Sequence, residues 1–441
     1  MTLIAKESGA APPPAAEPPD AANPMGTGSL GPVVRLLAGL VIISALFLEA
    51  GLGDLLLFIA ILVVIVMLHE LGHFATAKWS GMKVTEYFVG FGPRLWSVRH
   101  GETEYGVKAI PAGGYVRITG FTVLEDVAAE DEHRTYRQQP FWKRIIVASA
   151  GSAMHFIIAL ALALIVVFAF GVPSRNVSVA SVEKWPGVAQ TPAARAGIKA
   201  GDTIVSVNGK TLSSPTSLSD VVGRSIGHAV TVGVERDGHR RVISVIPVDG
   251  RGVKINGQFL KHKGYLGVVI QQATATPSPV HGIGYSFTLI GQVTKEQVTG
   301  VAQIFSPSGL SSVLHQVTNA QAAKAAVAHP GSAPRPVSLV GIASLGVQAQ
   351  QGGLRDLLLL LIYINVVFGL INMLPMLPLD GGHVAVAAYE WIRTKKGEAY
   401  YKADITKMFP VVAVFLALLA VIVLSGVFLD LTHPLSNPFQ H

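Results

Sequence analysis

The chain carries two histidines one helical repeat apart, in His69-Glu70-Leu71-Gly72-His73. Residues four apart on a helix share a face, so the two imidazoles can grip one metal ion. Glu70 then lies beside that ion, where it can take a proton from a bound water. HExxH alone is a loose pattern, and in unrelated chains it is a solvated helix face. Here it follows residues 55–68, a run with no charged or polar side chain. Ionisable groups at the end of such a helix are costly without a partner. The placement therefore predicts metal chemistry within the thickness of a lipid bilayer.

Two histidines leave a tetrahedral zinc ion short of a ligand; a third must come from elsewhere, with the fourth position left to water. The best candidate is Asp380, an isolated carboxylate in Asn372-Met373-Leu374-Pro375-Met376-Leu377-Pro378-Leu379-Asp380-Gly381-Gly382-His383. Pro375 and Pro378 break the helix there, which suits backbone lining a polar cavity. The plainer reading of Asp380 is a turn residue beside Gly381-Gly382. Asn372 could donate a hydrogen bond to a substrate carbonyl or developing oxyanion, or simply make a polar contact between helices. His383 could compete for the metal, but His69, His73 and Asp380 already complete a catalytic set. His155, inside another apolar run, reads as an interhelical hydrogen-bond partner.

The elements that must position these groups are membrane elements. Half of the 441 residues are hydrophobic and only 14% are charged; mean hydropathy is +0.48. This describes an integral membrane protein. The net charge of +7 then marks cytoplasmic loops by the positive-inside rule, and no nucleic-acid partner is expected. With no cysteine, disulfides and thiolate metal sites are excluded. The segmentation implied is a disordered Ala/Pro tail over 1–32, without the pattern of a secretory signal; a segment at 33–53 that either spans the membrane or lies at its interface; and core spans at 54–78, 142–172, 354–382 and 409–430. Ten Lys and Arg run from Lys78 to Arg144 inclusive, and Arg393, Lys395, Lys396, Lys402 and Lys407 follow the third core span. Both loops, 79–141 and 383–408, are thus assigned to the cytoplasm. The segment between the second and third core spans is placed outside, and HELGH on the cytoplasmic side of the bilayer. A tail, 431–441, ends the chain.

Within the first loop, β-prone runs at 95–98 and 105–110 flank Gly101, Gly113-Gly114 breaks the second run, and 115–118 resumes it. The free edge of such a hairpin can accept another strand. Outside, 173–272 reads as a compact α/β module: strands near 176–182, 203–207, 229–236, 241–247 and 265–270, an Asn208-Gly209 turn, and helices near 193–196 and 218–226. Residues 273–353 form an amphipathic linker with helical stretches near 282–305 and 310–327.

The chain resembles the site-2 protease family of intramembrane zinc metalloproteases. The resemblance rests on HELGH, on Phe88-Val89-Gly90-Phe91-Gly92-Pro93 after it, and on Asn372…Pro375…Pro378-Leu379-Asp380-Gly381. It covers roughly residues 54–430. It implies an α-helical polytopic membrane protein with a membrane-associated β-hairpin and an extracytoplasmic α/β PDZ domain at 173–272. It also implies Zn2+ on His69, His73 and Asp380, Glu70 as catalytic base and Asn372 at the oxyanion. The hairpin would guide substrate as an extended strand, with Gly113, Gly114 and Tyr115 in contact. The single PDZ domain and GETEYGVKAIPAGGY look most like the bacterial branch that cleaves anti-sigma factors in the inner membrane. Its substrates would be single-span proteins already trimmed by an upstream extracytoplasmic protease. The PDZ domain would exclude bulky ectodomains, or capture a newly exposed C-terminus through Gly264-Tyr265-Leu266-Gly267. Gly151-Ser152-Ala153-Met154-His155 departs from the family, which often has Gly-Pro and a later Asn there. The competing class is a membrane metal transporter or scaffold. A transporter would spread polar residues over several spans or repeated halves; this chain concentrates them at one depth.

Overall fold

The protein is described from a computed structural model covering residues 30–121, 125–212, 215–255, 258–329, 331–394 and 401–439. The tail expected to be disordered lies, over 1–29, outside the described residues; from Leu30 the chain is helical. It divides into two compact units, one of Met1–His155, Pro336–Val347 and Ile371–Pro434, the other of Phe156–Arg335, Gln348–Leu370 and Leu435–His441.

The first unit opens with α1 (Leu30–Glu49) and α2 (Gly53–Trp79). The unbroken apolar run makes α2 27 residues long, about 40 Å at the helical rise, against roughly 30 Å of hydrocarbon. The buried residues of α2 include Ile65, His69, Gly72, His73 and Ala77, one stripe at helical spacing. Next come strands β1 (Val84–His100) and β2 (Thr103–Ile118), antiparallel about a turn at Gly101. β2 runs on through Gly113-Gly114, where the sequence predicts a break. The register explains why. The first part of β1 pairs on one side with 114–118 (Tyr87 with Val116, Val89 with Gly114), and on the other with 104–107 (Tyr87 with Tyr105, Val89 with Val107). The pair is thus folded into four lanes, ordered 94–100, 103–110, 84–89 and 114–118. Both parts of β2 remain paired because β1 lies between them.

α3 (Phe141–Phe170) leads into the second unit, which holds a β-module: β3 (Val172–Val182), α4 (Pro192–Ala196), β4 (Thr203–Val207), β5 (Lys210–Thr211), α5 (Pro215–Arg224), β6 (Val230–Arg236), β7 (His239–Val245), the short β8 (Val248–Asp249), β9 (Lys254–Ile255), β10 (Gln258–Phe259) and β11 (Gly264–Tyr265), and β12 (Val268–Ala275). Its main sheet runs β12-β3-β4-β6-β7, with β5 on β4. Alternating residues of these strands (Val177, Val179, Ile204, Val230, Val232, Val234) bury one face against Leu218 and Val222 of α5. Then follow α6 (Pro279–Ile304), α7 (Pro307–Thr318), α8 (Ala320–Ala328), α9 (Leu339–Gly352) and α10 (Leu354–Asn372). Val293 of α6 shares a buried core with Ala159, Ala163 and Val166 of α3 and Leu358, Ile362 and Val366 of α10.

After α10 the chain breaks through its prolines and restarts as α11 (Asp380–Arg393), a helix where the sequence predicts a loop from 383. α12 (Phe409–Thr432) is the last helix among the described residues. Among the described residues four helices are long and apolar enough to cross a membrane: Gly53–Trp79, Phe141–Phe170, Leu354–Asn372 and Ile405–Thr432. In α1 the apolar stretch is the shorter Leu36–Glu49.

Candidate metal centre

His69 and His73 lie on the buried stripe of α2, 7% and 5% exposed. Nδ1 of His73 sits 2.7 Å from the carbonyl oxygen of Val147 in α3. That contact requires the proton on Nδ1 and turns the lone pair of Nε2 inward, the state a metal ligand needs. The two Nε2 atoms are 3.3 Å apart. Asp380, the first residue of α11, brings Oδ2 to 3.3 Å from His73 Nε2 and 3.6 Å from His69 Nε2. This buried oxygen has no hydrogen-bond donor. Donors about 2.0–2.1 Å from a tetrahedral zinc lie about 3.3 Å from one another, so the three atoms fit a common ion. Among the described residues they form the one cluster of such side chains close enough to hold a metal.

Glycines make room for the site. A Cβ on Gly151 of α3 would collide with His73 Nε2 and the ring of His69. Only glycine lets α3 lie beneath both imidazoles. At Gly381 and Gly382 a Cβ would strike the backbone of Met373, Leu374 and Leu377. The proline-broken segment therefore folds tightly over the first turn of α11 and sets Asp380 at its start. At its far end α11 is tied to α3 by a buried ion pair, Arg144 Nη1 to Glu390 Oε2 at 2.5 Å. Glu390 Oε1 also accepts from the amide of Ala403 at 2.7 Å.

Glu70 stands about 60° round the helix from His73 and is not among the three clustered donors. Its Oε2 accepts from the backbone amide of Val116 at 3.1 Å. The hairpin thus reaches the site. Tyr87 Oη donates to the carbonyl of Met67 at 2.8 Å, and Gly114 lies so close to Met67 that a Cβ there would displace its Sδ. Phe74 meets the rings of Tyr87 and Tyr105 at 5.4 and 5.9 Å. The outer lane 114–118 is therefore seated on α2 from Met67 to Glu70. Among the expected substrate contacts, Gly113 (φ +141°) and Gly114 begin this lane. The side chain of Tyr115 turns into the sheet, stacked on Phe88 and Phe91 and hydrogen-bonded to Glu86. The hairpin turn is anchored by Glu102, which takes Arg134 through both oxygens at 2.7 and 2.9 Å and Lys78 at 2.6 Å. Hydrogen bonds from the Arg134 guanidinium hold the Glu102 carboxyl at about 2.

Asn372 is the half-buried last residue of α10. The ring of His383 lies 4.1 Å from that of Phe121, apart from the metal cluster. His155 is fully buried one turn beyond Gly151, its ring 4.8 Å from that of His69. Sequence reasoning missed Val116 and Val147, which act through backbone atoms that any residue carries. It also missed the part played by Gly151, although a glycine in an apolar helix is the usual mark of close helix approach.

A buried His-His-Asp cluster with a glutamate alongside, in a chain with four helices of spanning length among its described residues, defines a polytopic membrane metallopeptidase. Comparison with known proteins agrees. The profile of Peptidase family M50 matches residues 57–419. The chain is 34% identical over 414 residues to zinc metalloprotease Rip1 of Mycolicibacterium smegmatis, covering 88% of this chain and 98% of the relative. It is likewise 34% identical over 413 residues to zinc metalloprotease Rip1 of Mycobacterium tuberculosis, covering 86% and 98%. The chain belongs to peptidase family M50, the site-2 protease family, and is a zinc metalloprotease. The transporter and scaffold alternatives fall with that membership.

Proposed function

We propose that this metalloprotease cuts peptide bonds within the transmembrane segments of single-span proteins such as anti-sigma factors, after a first cut made outside by another protease. The carrying observation is that two histidines of a fitting donor set, with a glutamate beside them, lie on a helix long and apolar enough to cross the membrane, and Asp380 at the start of α11 completes the set. A substrate helix in lipid has its amides bonded internally, and water is scarce around it. The enzyme must open the helix and supply water. His69, His73 and Asp380 would hold a zinc ion, which would supply Lewis acidity to a water molecule and to the scissile carbonyl. Glu70 takes the proton of that water and passes one to the leaving amine. Asn372 donates a hydrogen bond to the carbonyl oxygen as charge builds there. The outer lane at Gly113, Gly114 and Tyr115 pairs with the opened peptide as an added strand, and its seat on α2 beside Glu70 supports that role.

The β-module is read as an extracytoplasmic PDZ domain that excludes bulky ectodomains. The enzyme sits in the bacterial inner membrane with its site towards the cytoplasm, as the basic loops argue. If deleting 176–270 left untrimmed substrates as resistant as before, the filter would be wrong. A groove of about 250 Å³ between α5 and β12, lined by Leu218, Val222, Lys263, Tyr265 and Val268, favours a second use: capture of a new C-terminus, with Lys263 facing its carboxylate. The main test is a blot of a co-expressed single-span anti-sigma factor. Wild-type enzyme yields a shortened product and Glu70→Gln yields none; equal cleavage by both would end the assignment.

A further inference from the structure

Glu70 has two claims on it. As base its carboxylate must turn to a water, yet the amide of Val116 holds the side chain through Oε2. That amide belongs to the outer lane of the hairpin sheet, and no further strand pairs with this lane among the described residues. In an antiparallel pair, residues alternate between bonding their partner and turning both backbone groups away from it. Val116 faces Tyr87 in register, and its amide goes to Glu70, so its N–H and C=O point to the outer side. An added peptide strand would need this same N–H.

We infer that the Val116 amide is a latch: it holds Glu70 while the edge is empty, and an incoming peptide strand takes the amide over and frees the carboxylate for the water proton. Seating of substrate and release of the base become one event. The inference rests on the edge-strand reading above and adds to it a competition between substrate and Glu70 for a single donor. The hairpin is held in place to enforce that competition. Tyr115 and Arg117, on either side of Val116, both bind Glu86, and Arg117 also reaches Glu125 at 3.3 Å. These contacts hold the lane to β1, and β1 is itself held to α2 by the Tyr87 hydroxyl on the carbonyl of Met67.

The test uses full-length zinc-loaded enzyme in nanodiscs and a fluorescent single-span poly-leucine peptide with a central Gly-Pro break. Equilibrium affinity is measured for two cleavage-inactive variants, Glu70→Gln and Glu70→Ala. The Gln side chain still accepts from the amide and the Ala does not. The latch predicts that Glu70→Ala binds the peptide ~3- to 10-fold tighter, the range of one neutral hydrogen bond. Equal affinities overturn it. Combining each variant with Val116→Pro, which removes the N–H, should abolish the difference, while Val116→Ala should keep it; a difference that persists with Pro also overturns the latch. Peptide binding by Val116→Pro as tight as by Val116→Ala would mean that the edge does not seat substrate, and the strand reading would fail together with the latch. Should Val116→Pro not fold, judged by its thermal melt, the Gln-against-Ala comparison decides alone.

Discussion

The chain contains two β-structures built on opposite plans. The module from β3 to β12 buries its own core, with Ile204, Leu218, Val230 and Val232 almost wholly hidden among its own strands and α5. The hairpin has no such core. Its base, at Met82, Val84 and Ile118, is buried together with Ala77 of α2 and Val147 of α3, and its outer lane rests on Met67 and Glu70. A self-contained sheet can be separated from the chemistry, whereas a sheet with a borrowed core shares the fate of the site. The difference accords with the proposal that the module governs admission of substrate and the hairpin takes part in the reaction.

Changes beneath the site should have the largest effect. Gly151→Leu puts a side chain where both imidazoles lie; cleavage should fall at least ~100-fold, the cost of displacing reacting groups by about an ångström, and bound zinc should be lost with it. Next is Glu390→Ala, which removes the carboxylate paired with the buried Arg144. Removing one partner of such a pair costs about 3–5 kcal/mol, so the thermal midpoint should drop and zinc leave faster in chelator. Ile204→Ala in the module should cost about 2–5 kcal/mol of module stability, visible as earlier proteolysis of 172–275. Zinc content and cleavage of a pre-trimmed substrate should be unchanged; a loss of zinc there would break the distinction between the two sheets.

The smallest effect is expected at the hairpin turn. Arg134 holds Glu102 at about 2, below its ordinary 4.5. A depressed acid stabilises the fold fully above its unfolded value and less as pH falls through the folded one. Hairpin stability should therefore decline between about pH 4.5 and 2. As the pair is partly exposed, the decline should be slight. Glu102→Gln should remove it, as read by amide exchange at 103–110.

What was legible in the sequence follows from how local each signal is. HELGH could be read because helical periodicity alone puts both imidazoles on one face. Asp380 could be read because a lone carboxylate among prolines and apolar residues has few other uses. The strands of the module were visible as alternating apolar runs, although β3 begins at Val172, ahead of the expected 176. The four-lane hairpin was hidden because both parts of β2 pair with the same stretch of β1, a register no residue type announces. α11 is masked in the sequence because the basic residues after Arg393 suggest a cytoplasmic loop more strongly than the spacing of Val386, Ala387 and Glu390 on its buried side suggests a helix. The Val116 and Val147 contacts were out of reach for a different reason: they are made by main-chain atoms.

The central claim is that His69, His73 and Asp380 hold one zinc ion on which Glu70 acts without binding it. Zinc per protein chain, measured by mass spectrometry on purified wild type, Asp380→Ala and Glu70→Gln, tests this most directly. The account predicts about one zinc in the wild type and in Glu70→Gln and almost none in Asp380→Ala, following the three-ligand requirement of a catalytic zinc site. Full zinc in Asp380→Ala, or its loss in Glu70→Gln, would contradict it.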